Sequence, residues 1–170
     1  WGEAVLGELL QESGLKEGVN YETQTASSPG LIPDVIVNSP DGRSLVIDAK
    51  TSLTAYLAYC NASDDGKRMA AAREHVASVR KHIDDLSRKD YLSAFKASGR
   101  KVLDIVVMFV PNEAAHQLAM ATDPAIGQYG VEHGVLIAAP LTLLGFLHLA
   151  ATAWQADAQT KNQQAIIRQG

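Results

Sequence analysis

The spacing of apolar positions alternates along the chain between helical and strand-like, and each change of period predicts an element. Residues 2–13 place Val5, Leu6, Leu9 and Leu10 on one stripe of an amphipathic helix, with Gly14 as its stop. Residues 19–25 alternate as a first strand, and Ser27, Ser28, Pro29 and Gly30 signal a loop. Two strands follow, at about 31–38 and 44–50, around an Asp41-Gly42 turn. Val35 and Val37 want the same buried face as Leu45, Ile47 and Ala49. In an antiparallel hairpin that requires paired residue numbers with an even sum, for example 35 with 49 and 37 with 47. A strict two-residue loop gives an odd sum, so the pattern predicts an odd-length loop or a bulge.

Further on, residues 51–61 read as a short helix and Asp64-Asp65-Gly66 as a break. A long helix is expected from about residue 67 into the nineties, with an apolar seam of Met69, Ala72, Val76, Val79, Ile83 and Leu86. The near-continuous apolar run at 102–110 predicts a central strand covered on both faces. Helices are expected at 112–121 and from Asp123-Pro124 to about 133. A strand at 135–139 and a long helix from about 141 to 167 complete the chain. Residues 134–156 carry no formal charge, a run long enough to span a bilayer. Pro140 divides that run, and His148 and Gln155 interrupt it, so a core strand followed by a half-buried helix is the better reading. The pattern is that of one α/β domain over residues 1–170.

Composition changes this picture little: 46% hydrophobic and 20% charged residues are ordinary for a globular chain. The single cysteine, Cys60, excludes an internal disulfide and fits a reducing compartment. A start at Trp1, without methionine, suggests a piece of a longer protein. Charge distribution is more informative than the net −4. Residues 1–66 carry 3 basic and 10 acidic side chains, whereas residues 67–101 carry 10 basic and 4 acidic ones. An acidic first third beside a basic middle third suits a metal site adjoining a polyanion-binding face. Along the long helix, Arg68, His75, His82 and Lys89 recur every seven residues, with Arg73 and Arg80 in a parallel row. Such rows can follow a phosphate backbone, although most are solvated edges over a core.

The candidate chemistry lies in residues 33–50, PDVIVNSPDGRSLVIDAK. Asp34 and Asp48 stand where buried strands would not want charge, and Lys50 shares a strand face with Asp48. The example register places Asp34 directly across from Lys50. Two carboxylates and an amine at a sheet edge are what magnesium-dependent phosphodiester hydrolysis requires. Mg2+, or Mn2+ in its place, takes hard oxygen ligands. Asp34 and Asp48 would supply them, while Lys50 would orient water or stabilise the transition state. Glu3 favours the first helical turn in any case, and is a candidate metal ligand if that helix packs over the sheet edge. A plain ion pair of Asp34 with Lys50 on a non-catalytic DNA-binding or scaffold module is the competing reading. A small-molecule hydrolase lacks any nucleophile motif.

The order of Glu3, P-D and D-x-K resembles the PD-(D/E)xK nuclease superfamily. A longer series consists of WGE at 1–3, GVNYETQ at 18–24 and PDVIVNSPDGRSLVIDAKTSLTAY at 33–56. It continues with HVASVRKHIDDLSRKDY at 75–91, VMFVPNEAA at 107–115 and VLIAAPLTLLGFLHLAATAW at 135–154. This series resembles the RmuC family of bacterial DNA recombination proteins across essentially the whole chain. DAKTSL stands here where the family pattern is D-S-K-V-S-L, leaving Asp48 and Lys50 untouched. The resemblance implies a restriction-endonuclease-like core: a helix, a β-hairpin and a mixed central sheet flanked by helices, with additional long helices. It also implies a predicted nuclease that limits DNA rearrangement, acting on DNA with Mg2+. The matching block at 75–91 would make Arg80, His82, Lys89 and Tyr91 its DNA contacts, and the helix row adds Arg73. The domain itself would be cytoplasmic and touch no membrane. An anchor to the inner membrane and an oligomerising coiled coil would lie outside this stretch.

Overall fold

The computed structural model describes residues 1–23, 32–49 and 52–169. Five strands form one mixed sheet in the order β1-β2-β3-β4-β5. They are β1 (Tyr21–Thr23), β2 (Val35–Asn38), β3 (Ser44–Asp48), β4 (Val102–Phe109) and β5 (Val135–Ala138). The first three form an antiparallel meander, and β3, β4 and β5 run parallel. Parallel neighbours need helical crossovers. Helices α2 (Thr54–Cys60), α3 (Asp65–Lys89) and α4 (Tyr91–Ala97) lie between β3 and β4 in the chain. Helices α5 (Glu113–Thr122) and α6 (Ile126–Glu132) lie between β4 and β5, while α1 (Gly2–Glu12) and α7 (Pro140–Gln169) sit at the two ends.

Side-chain alternation along the strands gives the sheet two buried faces. Val35, Val37, Leu45, Ile47, Val107 and Phe109 point to the face covered by Leu6 and Leu10 of α1 and Leu143 and Leu147 of α7. Val46, Val106, Met108 and Val135 point to the other, under Val79, Ile83 and Leu86 of α3 and Ala115 and Ala119 of α5. Each fully buried aliphatic side chain contributes about 1.5–3 kcal/mol, so both layers carry substantial stability. Leu143, Leu147 and Ala151 are the buried positions of α7, so only its first half packs on the sheet, and residues 158–169 are exposed. Among the described residues, no helix is long and apolar enough to cross a membrane.

The hairpin confirms the parity argument and corrects its register. Val35 pairs with Ile47 and Val37 with Leu45, an even sum. The loop is odd: Ser39 N–H donates to Arg43 O at 2.7 Å, leaving Pro40, Asp41 and Gly42 between them. Gly42 has φ +85°, the left-handed residue that closes a three-residue hairpin loop. Asp41 braces the loop by accepting from Arg43 N–H at 3.2 Å and Arg43 Nε at 2.7 Å. The partner of Val35 is thus Ile47, not Ala49, a register two residues away from the expected one. Lys50 itself, with Thr51 and the loop signal at 27–30, lies outside the described residues.

The long middle helix also departs from expectation. It breaks at Asp90 (φ 48°, ψ 45°), where the chain turns from α3 into α4. Met69 is exposed and is not part of the seam. His75 is buried, not on a basic flank, because α5 packs over it and the Ala115 carbonyl takes its Nε2 hydrogen bond at 2.7 Å.

Candidate active site

Asp34 immediately precedes β2 and Asp48 is the last residue of β3, at the end where the parallel strands β3, β4 and β5 finish. Ligands of open α/β sheets bind outside those carboxyl ends. The Asp34 side chain leans across to β3, where its Oδ2 accepts from Ala49 N–H at 2.6 Å. Asp48 is only 3% exposed. A buried carboxylate is tolerable only when hydrogen-bonded and matched by positive charge. Tyr91 supplies the first, its hydroxyl donating to Asp48 Oδ2 at 3.0 Å. Lys89 supplies the second, with Nζ 3.6 Å from the same oxygen. Burial pushes the Tyr91 phenol well above its ordinary range, and the negative charges of Asp48 and then Asp34 add to the effect.

Glu3 reaches this end of the sheet from the other face. Gly2 packs so closely on β3 that a Cβ placed there would lie 2.9 Å from the Ala49 carbonyl oxygen. That contact sets the start of α1 over the sheet edge. Glu3 and Asp34 then line one cavity of about 260 Å3, with Leu6, Gly7, Thr23 and Val35. Glu3 is exposed, however, and among the described residues no three His, Cys, Asp or Glu side chains gather closely enough to hold a metal ion. The expected trio of Asp34, Asp48 and Glu3 is therefore not assembled as one cluster. Glu3 and Asp34 share a cavity that Asp48 does not line. Mg2+ usually takes one or two protein carboxylates and completes its shell with water and phosphate.

The residues expected to contact DNA fall into distinct environments. Lys89 and Tyr91 come to Asp48 itself, inside the centre and not along a distant helix row. His82 accepts from Ser52 N–H at 3.3 Å. With Asp85, Leu86 and Lys89 it lines a second cavity of about 330 Å3. Arg73 is exposed on α3. Arg80 is engaged within the fold: its Nε and Nη2 donate to Asp123 Oδ2 at 3.0 and 2.6 Å, and its guanidinium lies 4.3 Å over the Tyr129 ring. Tyr129 in turn donates to Asp84 at 2.6 Å, so α3 and α6 are tied at two points. The contacts of Tyr91 with Asp48 and of Arg80 with Asp123 each span 43 residues, and no local sequence signal announces either one.

Comparison with known proteins assigns the family. The RmuC family model matches residues 1–170. The chain belongs to the RmuC family. It is 44% identical to the DNA recombination protein RmuC of Salmonella typhimurium, over 98% of this chain and 35% of that protein. The Escherichia coli K12 protein of the same name is 43% identical with the same coverage. A Pseudomonas aeruginosa homologue is 38% identical, over 98% of this chain and 37% of its own length. The chain thus spans about a third of the length of these relatives. No solved structure matches it significantly.

Proposed function

We propose that this RmuC-family domain acts in DNA recombination as a metal-dependent deoxyribonuclease centred on Asp34 and Asp48. The observation that carries the reading is the presence of two carboxylates, Asp34 and Asp48, at the carboxyl end of the parallel strands, with Lys89 Nζ 3.6 Å from Asp48. The names of the relatives support DNA recombination as the setting.

In this reading Asp34 and Asp48 hold Mg2+ or Mn2+. When bound, the metal supplies Lewis-acid polarisation of a phosphoryl oxygen and lowers the pKa of its water. Lys50 orients the attacking water and stabilises negative charge on the phosphorus. Asp34 is held to the β3 backbone through Ala49 N–H, so its position is fixed before substrate arrives. Glu3 faces Asp34 across their shared cavity, where it can retain a water or a second ion. Arg73 and His82 guide the DNA backbone along α3, adding a sequence-independent electrostatic contribution, while Lys89 acts beside Asp48.

The decisive comparison is cleavage of single-stranded, duplex and branched DNA with Mg2+ or Mn2+ by wild type, Asp48→Asn and Lys50→Ala. Both variants are expected to lose activity by at least about 100-fold, a loss typical of removing a group that stabilises transition-state charge. Wild-type cleavage persisting in both would sink the assignment. A second reading, a non-catalytic DNA-binding or scaffold module, is favoured by the internal contacts of both carboxylates: Asp34 with Ala49 N–H, and Asp48 with Tyr91 and Lys89. It predicts DNA binding without metal-dependent cleavage in wild type.

A further inference from the structure

Lys89, Asp90 and Tyr91 form the corner at which α3 ends and α4 begins. Asp90 adopts the left-handed conformation, and its side chain accepts from Ser93 N–H at 3.3 Å to cap α4. Asparagine and aspartate are the residues best suited to that backbone after glycine. The turn allows the side chains on either side of Asp90 to converge on one carboxylate. Tyr91 is 2% exposed and donates to Asp48 Oδ2 at 3.0 Å. Lys89 Nζ lies 3.3 Å from the Tyr91 hydroxyl, 3.6 Å from Asp48 Oδ2 and 5.6 Å from the centre of the Tyr91 ring. The lysine side chain is 27% exposed and also borders the 330 Å3 cavity with His82, Asp85 and Leu86. One oxygen of Asp48 therefore meets a fixed hydroxyl donor and a cation whose stem reaches solvent.

We propose that this corner is the second wall of the Asp48 site: Tyr91 is a positioning residue that fixes the Asp48 carboxylate, and Lys89 transfers from Asp48 to a phosphate of the nucleic-acid strand entering the adjoining cavity. The proposal rests on the reading of Asp48 as a metal ligand. The Tyr91 hydroxyl donates to Asp48 Oδ2 and so holds one carboxylate oxygen in place. The Lys89 ammonium, by contrast, sits on a flexible four-carbon stem. A divalent cation on Asp48 repels it, and a phosphate within the stem's reach offers a replacement partner.

The test combines Mn2+ titration calorimetry with kcat and KM on a DNA oligonucleotide, in the full-length protein. Asp48→Asn is the reference and should abolish Mn2+ binding at the site. Tyr91→Phe keeps the buried ring, and should weaken Mn2+ by about 10-fold, the usual consequence of removing a hydrogen bond behind a metal ligand. Lys89→Met should tighten Mn2+ binding, since it removes a competing cation, while raising KM for DNA. Lys89→Arg should restore KM. If Tyr91→Phe fails to fold, Lys89→Met carries the test: unaltered Mn2+ affinity and KM overturn the proposal. Wild-type Mn2+ affinity in Tyr91→Phe, alongside its loss in Asp48→Asn, also overturns it while leaving the site reading intact. Absence of Mn2+ binding in wild type overturns both.

Discussion

Two arginines on α3 show how little a residue's sequence neighbourhood says about its work. Arg73 is exposed, whereas Arg80 is fastened to Asp123 and stacked over Tyr129. The hydrogen bond and charge of Arg80 hold the Asp123 carboxyl below its ordinary range, despite partial desolvation. Removing Arg80 therefore leaves a carboxylate without its cation and loosens α3 from the segment before α6. Arg80→Ala is expected to lower Tm by a few degrees and leave the salt dependence of DNA binding unchanged. Arg73→Ala is expected to do the reverse, keeping Tm and reducing the slope of log K against log salt by up to about 1. Thermal melts and binding isotherms at several salt concentrations separate the two. A flattened slope in Arg80→Ala would make it a DNA contact as well as a clamp. Sequence spacing placed both arginines in one row, because helical periodicity reports direction around an axis and not what packs there.

Among the elements, the β2–β3 hairpin carries the most information. Its parity follows from hydrophobic alternation alone, since a shift by one residue would turn every valine outward. A shift by two preserves the alternation, so apolar pattern cannot distinguish Val35 opposite Ala49 from Val35 opposite Ile47. Loop chemistry makes that choice. Pro40, Asp41 and Gly42 close a three-residue loop only if Gly42 takes a left-handed backbone, and the resulting register sets Val35 opposite Ile47. Gly42→Ala is expected to cost about 1–2 kcal/mol in denaturant unfolding, the penalty of a left-handed conformation for an L-residue. Gly42→Asn should cost less. Equal stability of all three would show that the loop tolerates another conformation. The break at Asp90 was hidden for a different reason. Asp90 is neither glycine nor proline, and the helical pattern continues past it into α4.

At the scale of the whole molecule, pH sensitivity enters through a partly buried histidine on α5. Burial depresses the His116 pKa, and the nearby Glu113 carboxylate offsets only part of that effect. The folded state therefore binds the proton less readily than the unfolded chain. Stability contributed by neutral His116 is present above the unfolded value of 6.5 and is lost as pH falls through the lower folded value. Tm should decline as pH is lowered from 7 towards 5, and His116→Gln should flatten that decline. An identical pH profile in the variant would place the sensitivity elsewhere. Glu113 has a second engagement: its Oε1 accepts from Leu141 N–H at 2.5 Å at the start of α7. The beginnings of α5 and α7 are thereby joined beside the carboxyl end of the sheet.

The sequence by itself determined the α/β class, the positions of the strands, the even pairing of the hairpin and the prominence of Asp34 and Asp48. Each of these depends on local periodicity or on charge where a strand should be apolar, and both are properties of consecutive residues. Tertiary structure decided which residues meet. Asp34 bonds to Ala49 N–H beyond the end of β3, Glu3 shares a cavity with Asp34 without a three-carboxylate cluster among the described residues, and Tyr91 and Lys89 close on Asp48 from 43 and 41 residues away. Those meetings depend on a hairpin register, a left-handed corner and the packing of α1 and α3 on opposite faces of one sheet. They arise from the combined fit of elements distant in the chain, which the period of any single segment does not encode.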